Sequence, residues 1–107
     1  MTVRHLIELA DVKEAQALAM LTYYMPKIEN NEIQIEEVQE KIDVYCKNMA
    51  DSFINNYQEE LKDSLINQQL RNYILSIKAD KPHSGYRFYE TLYKKINELD
   101  CNNEKEV

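Results

Sequence analysis

One glycine, two prolines and no tryptophan occur in the 107 residues. Tight β-hairpins lean on glycine at positive φ, so a fold built of many hairpins is disfavoured. No run approaches the roughly eighteen apolar residues of a membrane-spanning helix, so no membrane association is expected. Glu8 and Asp11 interrupt the first apolar stretch, which argues against a secretory signal and makes the cytoplasm the expected location.

Chemistry-bearing residues are scarce too. Two cysteines, Cys46 and Cys101, form no Cys-x-x-Cys pair, and the expectation is one core thiol and one in a loose tail. His5 and His83 are not in His-Glu-x-x-His spacing. A structural zinc site needs about four close Cys or His ligands, so no metal is expected. Ser52, Ser64, Ser76 and Ser84 lie in no Gly-x-Ser-x-Gly elbow, and one glycine cannot build a phosphate-cradling loop. Neither a catalytic centre nor a cofactor is expected.

What remains is rich in helix formers. Leu, Glu, Gln, Lys and Met recur throughout, and 44% of the residues are hydrophobic. The length suits a single domain over 1–100 with a polar flexible tail over 101–107. The first helical region spans 3–28. Val3, Leu6, Ile7 and Ala10 share one face, while Ala15, Leu18, Ala19, Thr22 and Met25 form a second stripe in another phase. Asp11 to Glu14 has capping-box spacing, so this region reads as one bent helix or two. Pro26 predicts a stop or kink, and 29–33 a loop.

Ile35, Val38, Ile42, Tyr45 and Met49 repeat in the seam pattern of packed helices. Phe53, Tyr57, Leu61 and Leu65 follow at steps of four, which rotate around a straight helix. A break at Asn55-Asn56 is preferred; the alternative is one long central helix that pairs in a dimer. Leu70, Tyr73, Ile74 and Ile77 lead to a turn over 79–85 containing Pro82 and Gly85. The last helix spans 86–99, with Phe88 or Tyr89, Leu92, Ile96 and Leu99 inward. The predicted architecture is all-α: a small antiparallel helical bundle of three to five helices.

Charge is uneven. Residues 29–63 hold ten acids and three lysines, whereas 71–95 hold six bases and two acids. Glu36, Glu37, Glu40 and Asp43 mark an acidic face; Glu37–Lys41 and Asp43–Lys47 have i,i+4 spacing, each worth roughly 0.2–0.5 kcal/mol. The basic third carries an aromatic cluster. Tyr86, Arg87, Tyr89, Tyr93 and Lys94 are the candidate contact residues, because one helix facing a one-sided core cannot hide all its aromatics. The leading expectation is a non-enzymatic protein-interaction module, an adaptor, inhibitor or assembly factor that also self-associates as a homodimer. The alternatives are a nucleic-acid-binding regulator using the basic third, and an acidic decoy for a nucleic-acid-binding protein.

Overall fold

The computed structural model describes residues 2–80, 86–99 and 101. Within them the chain is an all-α bundle of five helices: α1 (Val3–Glu29), α2 (Ile35–Asn56), α3 (Gln58–Leu61), α4 (Ser64–Asp80) and α5 (Arg87–Asn97). No described helix is long and apolar enough to cross a membrane.

The first helix is continuous. Thr2 caps it, its Oγ1 accepting the His5 amide at 3.3 Å. Asp11 and Glu14 form no internal cap, so no change of phase occurs there. The inward face set by Leu6 and Ala10 simply continues at helical period to Ala17, Leu21, Tyr24 and Ile28. The second predicted stripe is therefore corrected: Ala15, Leu18, Ala19, Thr22 and Met25 all point outward, with Leu18 56% exposed.

Pro26 does not stop α1, which runs on to Glu29. A proline so near the end removes one donor, and the final carbonyls find other partners. Asn31 adopts φ 61°, its amide reaching Ile28 O at 3.1 Å, while the Glu32 amide reaches Lys27 O at 2.8 Å. This pair of bonds is a Schellman closure, with asparagine in the left-handed position glycine usually takes.

The central stretch breaks at the predicted place. α2 ends at Asn56 and Tyr57 caps it, so 35–78 is not one rod. Its buried seam is Val38, Ile42, Cys46, Met49, Ala50 and Phe53; Ile35 lies outside it, and Tyr45 is half-buried. After α3, Asp63 Oδ1 accepts the amides of Leu65 (3.0 Å) and Ile66 (3.2 Å) and starts α4. Leu65, expected inward, is exposed because α4 turns Asn67, Leu70 and Ile74 to the core.

Asn67 is the buried polar residue of this core. Its Nδ2 donates to Leu61 O (3.0 Å) and Ile96 O (2.9 Å), and its Oδ1 accepts Arg71 Nε (2.7 Å). One amide thus ties α3, α4 and the end of α5 together.

Directions follow from cross-helix pairs. Lys78 meets Glu90 and Arg71 meets Asn97, so α4 and α5 run antiparallel. Asp43 meets Arg87 and Asp51 meets Lys95, so α2 and α5 run parallel. α5 is walled by α1, α2 and α4, and it buries Phe88, Tyr89, Leu92 and Ile96. The Phe88 ring sits edge-on to Phe53 with centroids 6.3 Å apart.

The predicted turn is shortened at its start: Ala79 and Asp80 still belong to α4. Its remaining residues, 81–85, including Pro82, His83 and Gly85, lie outside the described residues, as does the predicted tail over 101–107 apart from Cys101. Cys101, assigned to that tail, is instead buried. The molecule is elongated, 57 × 26 × 21 Å. Beyond Ala17 no α1 residue is buried, and α2 has none before Val38. One end is thus a hairpin of two helices with a thin core.

Candidate interaction surface

The basic, tyrosine-rich third is placed differently from its sequence expectation. Tyr86 and Tyr89 are buried, Tyr93 is half-buried, Arg87 is half-buried and Lys94 is exposed. The one-sided core assumed for this helix is absent: three helices surround α5, so several of its faces are interior. The Tyr86 hydroxyl donates to Ile77 O at 3.3 Å.

The opposite charges meet across helices at the surface of the bundle. Arg87 Nη1 lies 2.7 Å from Asp43 Oδ1, Lys95 Nζ 2.6 Å from Asp51 Oδ1, and Lys78 Nζ 3.6 Å from Glu90 Oε1. Asp43 therefore pairs across helices, not with Lys47 along its own. The cleft between α2 and α5, about 440 Å³, mixes Lys47 and Lys94 with Glu90 and Glu98. These partly exposed pairs add little stability each, on the order of 1 kcal/mol or less; the first two lie across the parallel α2–α5 pair and the third across the antiparallel α4–α5 pair.

A second polar group joins α1 to α4 and α5. The hydroxyls of Tyr73 and Tyr89 both donate to the Asp11 carboxylate, Tyr73 at 3.0 Å. One turn on, Glu14 Oε1 accepts the Tyr89 amide at 3.1 Å and so caps the start of α5 from another helix. Burial pushes the Glu14 carboxyl up to about 7; the amides of Tyr89 and Phe88 oppose the rise, and Glu90 and Asp11 add to it. Burial, then the Asp11 contact, pushes both tyrosine hydroxyls up as well. Burial also pushes the Cys46 thiol up to about 11, which keeps it protonated and unactivated at neutral pH. Among the described residues no group of three or more His, Cys, Asp or Glu is arranged to hold a metal ion.

The acidic face lies elsewhere, on the hairpin end. Glu36, Glu37, Glu40 and Asp43 are all exposed. Glu37 and Glu40 form a wall of an open groove of about 680 Å³ between α1 and α2. Met20, Tyr24, Val44 and Tyr45 supply its apolar lining, and Lys41 is its single cation. Val44 is 54% exposed, although it stands on the same helix as the core seam. Glu36 and Asp43 are not part of this lining. The α1 half of the groove was invisible in the sequence: its Met20 and Tyr24 belong to the inward phase that the two-stripe reading passed over. Asn67, Asp11 and Glu14 were missed as cross-helix partners, because only the fold brings their acceptors and donors together.

Compared with known proteins, the chain matches no family model, no curated protein and no solved structure.

Proposed function

We propose that the protein is a non-enzymatic, cytoplasmic protein-interaction module whose contact surface is the groove between α1 and α2. The observation that carries this reading is the groove itself: an open cleft lined by the exposed Val44 and the half-buried Met20, Tyr24 and Tyr45, walled by Glu37 and Glu40. The non-enzymatic part draws on the chemistry of Cys46, which is buried with its thiol held protonated. The nucleic-acid reading has less to support it, because Arg87 and Lys95 are engaged by Asp43 and Asp51.

Co-purification from native cells tests the proposal. The wild-type chain and a Leu65→Asp control, altered at an exposed apolar site on α4, should retain the same partner. Val44→Asp should lose it. Equal retention by all three proteins would rule out the groove. Light scattering on the same proteins reads self-association; a dimer abolished by Val44→Asp would make the partner a second copy.

A further inference from the structure

We infer that the occupant of the α1–α2 groove is a basic amphipathic helix of another protein. This rests on the groove being the contact surface and adds the chemistry of what it takes. The apolar lining of Met20, Tyr24, Val44 and Tyr45 runs between two helices, a shape that accepts an apolar helical stripe. The charge around it has one dominant sign. From residue 29 to residue 40 the chain carries five glutamates and no lysine or arginine. Two of them, Glu37 and Glu40, stand at the groove, with Glu36 exposed beside them. Lys41 is the opposing charge within the lining, and Lys27 stands on α1 one turn beyond Tyr24.

This pattern discriminates among occupants. A second copy docked groove to groove would bring two such acidic walls into one interface, with only Lys41 of each lining to offset them. Nucleic acid and anionic lipid meet the same repulsion. A helix with leucine-like residues on one face and Lys or Arg along the flanks buries the lining and meets the acids. Nor can α5 supply that helix from within the chain, since its own apolar face is in the core.

Three synthetic peptides of about fourteen residues, roughly four helical turns, test the inference by fluorescence anisotropy with NMR shift mapping. One is a Leu/Lys amphipathic helix, one its Leu/Glu counterpart, and one a reordered Leu/Lys peptide without an apolar stripe. The first should bind at least about tenfold more tightly than the other two and perturb Val44 and Tyr45. Glu37→Gln with Glu40→Gln should weaken it about tenfold, and Lys41→Gln should tighten it. Equal binding of the acidic peptide would overturn the charge assignment while leaving the groove as a contact surface. Equal binding of the reordered peptide would reduce the effect to bulk charge and overturn the inference. No binding by any peptide would overturn it too, with the Val44→Asp co-purification deciding independently whether the groove binds a partner. A groove-dependent dimer would overturn it in favour of a second copy.

Discussion

Replacing Glu14 with glutamine removes one ionisable group and changes little else. The amide oxygen of glutamine can still accept the Tyr89 N–H that Glu14 accepts at 3.1 Å. What it cannot do is ionise. The Glu14 carboxyl is raised from 4.5 to about 7 in the folded chain, chiefly by burial. Between these values the native state holds a proton that the unfolded state releases, so wild-type stability falls as pH rises through that window and levels off above it. The full shift corresponds to about 3 kcal/mol. Glu14 is only half-buried, and solvent screening brings the expected effect to about 1 kcal/mol. Glu14→Gln and wild type should therefore be nearly equal in stability near pH 4.5, and the variant should be more stable by about 1 kcal/mol at pH 8. Urea denaturation of both proteins at four pH values measures this directly. Other carboxylates titrate in both proteins and cancel in the difference. A difference independent of pH would refute the reasoning, as would a Glu14 carbonyl signal titrating near 4.5.

Three further perturbations probe the scaffold. Asn67→Asp turns a donor toward the carbonyls of Leu61 and Ile96 into a carboxylate facing them, and should cost more than the roughly 1–3 kcal/mol of an unsatisfied buried group, read by thermal unfolding. Asn31→Gly should be neutral or slightly stabilising, whereas Asn31→Val should cost about 1–2 kcal/mol in chemical denaturation, because φ is 61° there. Cys46, buried and with its thiol pushed up to about 11, should react with a thiol reagent at the rate of unfolding, and labelling should accelerate with denaturant.

Much of the scaffold is legible in residue order. The helical period of Val38, Ile42 and Met49, the rotating stripe after Phe53 and the near absence of glycine locate α2, its end at Asn56 and the all-α class. These features are local: each depends on which side chains recur within a few turns. Asp11 and Glu14 show where such reasoning ends. Their spacing imitates a cap within α1, yet their partners are Tyr73 and Tyr89, more than sixty residues away. The α5 aromatics make the same point. Residue order counts Tyr86, Phe88, Tyr89 and Tyr93, but how many are hidden depends on the number of helices around them.

Composition and period alone determined that this protein is helical, acidic in its middle and basic toward its final third. The tertiary structure decided what those charges face. By running α5 parallel to α2, it brings Arg87 and Lys95 onto Asp43 and Asp51, and it leaves Glu37 and Glu40 beside an open groove that holds one lysine, Lys41. The physical reason is that charge counts along a chain carry sign but not distance, and Coulomb attraction is fixed only once helices are placed side by side.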